Sequence, residues 1–260
     1  MEKHIAEKAD TMDTSVIGIL GAGTMGSGIA QVSAVSGYRT VLVDIDARML
    51  EQGLGAIDGN LHRQAAKGAI DEQCMRDALG RITTSGSLDA LSDCFLIVEA
   101  VIEKKEVKQS IFADLARRVD PACILASNTS TISITAIAAA AANPERVVGM
   151  HFMNPAPIMQ LVEVVRGLQT ADAVHRTVIE TAKRMGKIPV TVNDSPGFVS
   201  NRLLLPMINE AVIVLQEGVA DAEAIDTVMK LGMNHPMGPL ALADFIGLDV
   251  CLFIMEVLHN

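Results

Sequence analysis

The chain has 260 residues, half of them hydrophobic, and a formal net charge of −10 at pH 7. That acidity excludes a general nucleic-acid binder, which needs a basic footprint, and no apolar stretch approaches the roughly 20 residues of a membrane span. Cys74, Cys94, Cys123 and Cys251 form no metal-like pair, and the polar first fifteen residues lack the apolar core of a secretory signal, so the expectation is a cytoplasmic protein with reduced thiols and no bound metal.

Residues 1–15 read as a leader. From Val16 onward, short β-branched runs alternate with helical patterns, the signature of a parallel sheet covered by helices. The first strand, Val16–Leu20, stops at Gly21-Ala22-Gly23-Thr24-Met25-Gly26, and a helix, Met25–Ser36, follows. In such a turn Gly21 permits the tight bend, Gly23 the close approach of a pyrophosphate, and Gly26 the close packing of helix on strand. The helix start at Thr24 and Met25 offers unpaired N–H groups and the positive dipole end to phosphate. The second strand, Arg39–Asp44, delivers Asp44 about 20 residues beyond the turn, where a carboxylate bonds a ribose 2′-hydroxyl and repels a 2′-phosphate. A lone G-x-G-x-x-G could be a plain glycine turn. Strand, glycines, helix, strand and acid in order point to a dinucleotide site that prefers NAD.

Further helices are expected at Ala47–Ala66, Asp71–Leu79, Glu103–Arg118 and Ala171–Met185. Further strands are expected at Arg81–Thr84, Cys94–Glu99, Ile124–Ser127, Val147–His151, Gln160–Val165 and Ile188–Val192. Asn154-Pro155-Ala156-Pro157 cannot be helical and suits a tight connection. Asn193-Asp194-Ser195-Pro196-Gly197 is rich in turn formers and marks a boundary. Beyond it the patterns are helical only, at Phe198–Glu217, Ala222–Leu231 and Pro239–Leu258. The fold class is therefore α/β. A Rossmann-like, doubly wound, mostly parallel sheet occupies residues 16–193, a linker 194–199, and a smaller all-α domain residues 200–260. The apolar content of that last domain exceeds what a few helices can bury alone, which points to a homodimer.

Four places carry candidate chemistry. Ser127-Asn128-Thr129-Ser130 follows a strand, and ligands of open α/β sheets bind outside the carboxyl ends of strands; Thr129 or Ser130 could equally cap a helix. His151 ends a strand and could be a satisfied core histidine. Glu163 sits inside a β-branched run, where a carboxylate must face solvent or find a partner. Asn201-Arg202 could be a surface pair or a contact between domains.

These stretches, with Val98-Glu99-Ala100, Gly149-Met150-His151-Phe152-Met153-Asn154-Pro155-Ala156-Pro157, Pro196-Gly197-Phe198-Val199-Ser200-Asn201-Arg202 and His235-Pro236-Met237-Gly238-Pro239, run in the order and spacing of one family. The chain resembles the 3-hydroxyacyl-CoA dehydrogenases, and most closely the bacterial 3-hydroxybutyryl-CoA dehydrogenases, from about Val16 to Asn260. The resemblance implies NAD-dependent interconversion of 3-hydroxybutyryl-CoA and acetoacetyl-CoA, within fatty-acid or butyrate metabolism. It implies that His151 is the general base and Glu163 its carboxylate partner. Ser130 and Asn201 match residues that hold the substrate oxygen. Asp44, Glu103, Lys108, Ser130 and Asn154 match positions at the dinucleotide, beside the turn of Gly21, Gly23, Thr24, Met25 and Gly26. Lys67 falls where the family has a basic residue near the CoA phosphates. Relatives continue for a few dozen residues past Asn260, so the helical domain is expected to be incomplete, and their leaders are shorter, with Met12 a candidate internal start.

The residue types suit the reaction. Oxidising a secondary alcohol requires the hydroxyl proton to leave as hydride departs, and an imidazole, with a reference pKa of ~6.5, is fitted to take it near neutral pH. A carboxylate on the other ring nitrogen fixes the tautomer and stabilises the imidazolium. Two other readings stand beside this one. One is a dehydrogenase of a 3-hydroxy acid without CoA. The other is a catalytically silent protein on the same fold, which would be expected to lose the His–Glu pair.

Overall fold

The computed structural model describes residues 15–259, so the expected leader, apart from Ser15, lies outside the described residues. The chain divides into two compact units, one ending at Asp194 and the other starting at Ser195.

The first unit is one eight-stranded sheet with helices on its faces. Its strands are β1 (Val16–Leu20), β2 (Arg39–Val43), β3 (Ile82–Ser85), β4 (Leu96–Glu99), β5 (Ile124–Ser127), β6 (Val147–Phe152), β7 (Leu161–Arg166) and β8 (Ile188–Asn193). Its α-helices are α1 (Thr24–Val35), α2 (Ala47–Ala66), α3 (Glu72–Gly80), α4 (Lys105–Arg118), α5 (Ile134–Ala138) and α6 (Asp172–Arg184). The strand order is β3-β2-β1-β4-β5-β6-β7-β8. The strands from β3 across to β6 are parallel. β7 then pairs antiparallel with β6, and β8 runs parallel to β7.

This order follows from burial. β4, β5 and β6 are buried at every position and β1 at all but its first, as strands covered on both faces must be. Ile17 and Ile19 of β1, Val98 of β4 and Met150 of β6 share one core with Ile29 and Ala30 of α1. Because β1 has β2 on one side and β4 on the other, the chain reverses its direction of travel there. The carboxyl ends of β1 and β4 flank that switch point, where open α/β sheets hold their ligands.

Helix α2 is attached along a single line, Gly53, Ile57 and Leu61, spaced four residues apart on one face. Asp46 caps its start by accepting from the Arg48 N–H at 2.9 Å.

The second unit is helical: α7 (Ser200–Gln216), α8 (Ala222–Gly232), α9 (Pro239–Ile246) and α10 (Leu248–His259). Leu205, Ile208, Ala243, Cys251 and Ile254 form its core. Asp226 of α8 caps α9, accepting from the N–H groups of Leu240 and Ala241 at 2.9 Å each. The pattern Pro239–Leu258 predicted one helix, and the structure has two. Gly247 takes φ +102°, a left-handed conformation that ends α9, and its N–H closes the helix on the Ala243 carbonyl.

Most other expected boundaries fall within a residue or two of those observed. Two strands shorten. Asp44 lies just beyond β2, and Cys94 and Phe95 precede β4. Cys94, Cys123 and Cys251 are buried, whereas Cys74 is half-buried on α3. Among the described residues, no helix is long and apolar enough to cross a membrane, and no group of three or more His, Cys, Asp or Glu could hold a metal ion.

Candidate active site

The turn after β1 is built by three glycines for three different reasons. Gly21 has φ +103°, and a Cβ there would stand 2.6 Å from the Ala100 carbonyl oxygen. A Cβ on Gly26 would stand 1.8 Å from the Gly21 oxygen, so only glycine lets α1 close onto the turn. Gly23 differs. A Cβ there would meet only Met49 Cε, at 4.0 Å. No packing inside the protein demands glycine at that point, and the open space lies over the start of α1. Gly23 is also the N-cap and supplies no side-chain hydrogen bond to the helix. No side chain on Gly23 covers the backbone N–H groups of this first turn, which are the donors that a pyrophosphate needs, and the dinucleotide fits the residues present.

Asp44 stands beside this turn. Its Oδ2 accepts from the Ala22 N–H at 2.8 Å and its Oδ1 from the Asp46 N–H at 3.0 Å. Each carboxylate oxygen keeps a second lone-pair site for a ribose hydroxyl.

His151 and Glu163 are brought together by sheet register. They are direct partners in the antiparallel β6–β7 pair, and side chains directly opposite on one face have Cβ atoms only ~5 Å apart. His151 Nδ1 lies 2.8 Å from Glu163 Oε2. Their side chains are 10% and 3% exposed. On its other side Glu163 is in register with Val190 of β8, which carries no polar group. A carboxylate only accepts, so Nδ1 carries the proton and Nε2 is the basic nitrogen of the neutral ring. The pair can take up and return a proton at Nε2.

Ser130 lies in the loop that leaves β5. Neither it nor Thr129 caps a helix; Ser133 does, accepting from the Ala136 N–H at 3.2 Å. Instead the loop wraps Glu103. One oxygen of Glu103, Oε1, accepts from the Ser130 N–H at 2.9 Å, the Thr131 N–H at 3.1 Å, the Thr131 hydroxyl at 3.0 Å and the Thr129 hydroxyl. Its other oxygen is 3.2 Å from Lys108 Nζ. Lys108 itself is 1% exposed and held 2.6 Å from Glu99 Oε1. Lys108, expected at the dinucleotide, thus lies inside the protein between two carboxylates. Burying an ammonium without such partners would cost several kcal/mol.

Not every expected residue joins this edge. Lys67 is exposed and caps the far end of α2, about 30 Å along the helix at 1.5 Å per residue. Asn154, by contrast, stays at this edge, exposed two residues beyond β6 and joined to Pro155 by a cis peptide bond. Asn201 belongs to the second unit, in the first turn of α7, where its N–H reaches the Gly197 carbonyl at 3.1 Å. Within the first unit, the carboxyl edge of the sheet gathers the glycine turn, Asp44, Glu103, Ser130, His151 and Glu163.

Three further residues have a part that the motifs did not assign, Asn128 and Lys187 at this edge and Asp194 at the opposite one, just beyond β8. Asn128 Oδ1 accepts the Phe152 N–H at 2.8 Å, tying the Ser130 loop to the residue after His151. Lys187 Nζ donates to the carbonyls of Ala156 and Met159 at 2.6 and 2.8 Å, pinning the loop that follows Asn154, and burial holds its pKa below that of an ordinary lysine. Asp194, expected as the first linker residue, accepts from the N–H groups of Ile134 and Thr135 and so holds the start of α5. The resemblance could have marked Asn128 alone, since it lies inside a matched stretch.

Burial pushes the Glu103 carboxyl up, but Lys108, the Thr129 hydroxyl and the Ser130 N–H outweigh it and hold it below the ordinary carboxylate value of 4.5. A depressed folded-state pKa contributes stability that is whole above the unfolded-state value and is lost as pH falls through the folded-state one. The melting temperatures of the wild type and Glu103→Gln should therefore differ most near neutral pH and converge once the pH is below the carboxylate range. A gap that persists undiminished into acid contradicts this account of Glu103.

Comparison with known proteins agrees with this geometry. Residues 16–195 match the family of the 3-hydroxyacyl-CoA dehydrogenase NAD-binding domain, and residues 197–260 match the 3-hydroxyacyl-CoA dehydrogenase C-terminal domain. The chain is 54% identical over 243 residues to a probable 3-hydroxybutyryl-CoA dehydrogenase of Deinococcus radiodurans, covering 94% of this chain and 87% of that one. It is 52% identical to a 3-hydroxybutyryl-CoA dehydrogenase of Bradyrhizobium diazoefficiens, covering 94% and 83%. The crystal structure of (S)-3-hydroxybutyryl-CoA dehydrogenase from Ralstonia eutropha superposes with a TM-score of 0.92 at 49% identity, covering 95% and 87%. The chain belongs to the 3-hydroxyacyl-CoA dehydrogenase family and carries its NAD-binding domain.

Proposed function

We propose that the protein is an NAD-dependent dehydrogenase of short-chain 3-hydroxyacyl-CoA, interconverting 3-hydroxybutyryl-CoA and acetoacetyl-CoA, and that it works in the cytoplasm as a homodimer. The observation that carries this reading is the buried His151–Glu163 pair, 2.8 Å from Nδ1 to Oε2, at the same sheet edge as an open glycine cradle and Asp44. The turn Gly21–Gly26 and Asp44 would hold NAD, which would supply the hydride acceptor for the carbinol carbon. His151 takes the hydroxyl proton at Nε2, and in reduction returns it. Glu163 holds Nδ1–H and stabilises the imidazolium that forms. Ser130 holds the substrate oxygen as its charge changes, a role that the family resemblance also gives to Asn201. Asp44 bonds the adenosine ribose, and Glu103 borders the dinucleotide through the loop it organises, with Lys108 acting on it from behind. Asn154 completes the cofactor's surroundings. Lys67, exposed and cationic, suits the CoA phosphates, whose binding energy acts far from the reacting carbon. Exposed apolar side chains on the second unit, Leu203, Leu231, Phe245 and Leu252 among them, supply the surface for a dimer contact.

The direct test is NADH oxidation with acetoacetyl-CoA and, separately, with free acetoacetate. Turnover of the thioester alone is the expected result, and turnover of free acetoacetate alone would move the reading to a non-CoA substrate. His151→Gln should lower kcat by ~100- to 10,000-fold, the usual worth of general acid–base catalysis, while NADH still binds; Glu163→Gln should also slow turnover. A folded His151→Gln protein with near-normal kcat would remove His151 from the mechanism.

Cofactor choice tests Asp44. NADH should be preferred to NADPH, and Asp44→Ala should weaken NADH binding about tenfold, the equivalent of about 1.4 kcal/mol, while narrowing that preference. Faster turnover of the unmodified protein with NADPH at equal subsaturating concentration contradicts the assignment. Sedimentation at micromolar concentration should show a dimer, and a monomer would refute that part of the proposal.

A further inference from the structure

Glu99 is the last residue of β4 and its side chain is 0% exposed. In its row across the sheet it stands between Leu20 of β1 and Ser127 of β5. A carboxylate between buried strands is costly, and well-packed apolar residues would serve stability as well or better. Here both carboxylate oxygens are used. Oε1 accepts from Lys108 Nζ at 2.6 Å and from the Val101 N–H at 2.7 Å, and Oε2 accepts from the Ser127 hydroxyl at 2.7 Å.

The two oxygens lead to one place. Along the first arm, Lys108 bridges Glu99 to Glu103, and Glu103 Oε1 receives the Ser130 N–H at 2.9 Å. Along the second, Ser127 receives the Thr129 N–H at 3.2 Å on the oxygen that donates to Glu99. Both arms therefore converge on the short loop that carries Ser130. Neither Glu99 nor Ser127 has a part in the reaction proposed above.

We propose that Glu99 is a positioning residue for Ser130, acting through Lys108–Glu103 on one side and Ser127 on the other. The inference rests on the assignment of Ser130 to the substrate oxygen, but the placement of the loop is independent of it. The ionised Glu99 orients the Lys108 ammonium, the ammonium orients Glu103, and Glu103 fixes the backbone of the loop. Ser127 fixes the same backbone one residue earlier. Removing the Glu99 charge leaves Lys108 with one carboxylate instead of two, and releases the loop from a geometry that needs both arms.

The experiment has two readouts. Hydrogen exchange on the full chain follows the 128–131 segment in the wild type, Glu99→Gln and Ser127→Ala. Faster exchange in that segment with the sheet still protected is expected, and unchanged exchange would overturn the proposal whatever the protein catalyses. Kinetics with NADH and acetoacetyl-CoA then reads the consequence, normalised to the NADH-binding fraction. Ser127→Ala and Glu99→Gln should lower kcat about tenfold with NADH affinity within about twofold of wild type, and adding Ser130→Ala should cost little more, because residues acting through one another are non-additive. A full additional Ser130→Ala effect would overturn the catalytic part, since it would show that Glu99 serves stability alone. If Glu99→Gln fails to fold, Ser127→Ala, which removes a single hydroxyl, carries both readouts. A wild type with the exchange pattern described but no turnover of acetoacetyl-CoA would sink the functional reading and leave the positioning role standing.

Discussion

The candidate site depends on one pairing: β7 laid antiparallel on β6 with Glu163 opposite His151. A slip of one residue would send the two side chains to opposite faces of the sheet. Gly149 guards the register from two residues away. It is in register with Val165, and a Cβ on it would stand 2.7 Å from the Val165 Cβ and 3.0 Å from Ile134 of α5. Glycine there lets Ile134 of α5 pack against the face of β6 that carries His151. The reversal of strand direction at β7 is what allows a directly opposed pair to form at this point in an otherwise parallel sheet.

Around this pair the protein spends buried polar groups on loops rather than on strands. The loop after β5 is held from three directions: Glu103 under Ser130, Ser127 on Glu99, and Asn128 on the Phe152 N–H. The loop after β6 is held by Lys187, and the start of α5 by Asp194. These are charge-assisted contacts or bonds to backbone groups, stronger than average and expensive to leave unmade. A reacting geometry needs its groups placed to within a fraction of an ångström, and loops have no ladder of their own to supply that.

Much of the fold was legible in the residues. Buried parallel strands read as continuous β-branched runs, so β1, β5 and β6 stood out, and the glycine turn carried its mechanism in its spacing. Helix α2 was legible to the residue because its cap, Asp46, and its apolar line agree. What failed had local causes. Gly247 sits in an apolar helical pattern, and a single glycine does not announce whether it will adopt a positive φ. The direction of β7 is a property of strand pairing, which period-two patterning does not encode. In the site, Asp44 and the glycines were readable because their chemistry is local. His151 and Glu163 each stood out as candidates, but their pairing came only through the resemblance, since the eleven intervening positions say nothing of cross-strand register. Lys108 matched a position at the dinucleotide, and motif matching gives no sign that its side chain is buried. Its two carboxylate partners, one of them at the end of β4, emerge only when β4 and α4 are packed together.

The central claim is that Glu163 holds His151 in the tautomer with the proton on Nδ1, leaving Nε2 as the base. Nitrogen NMR of the protein labelled at its histidines reads this directly. For the neutral ring of His151, assigned by its loss in His151→Gln, the account predicts a protonated Nδ1 and an unprotonated Nε2, with the signature disturbed in Glu163→Gln. A neutral His151 ring protonated at Nε2, or a spectrum indifferent to Glu163→Gln, would contradict it.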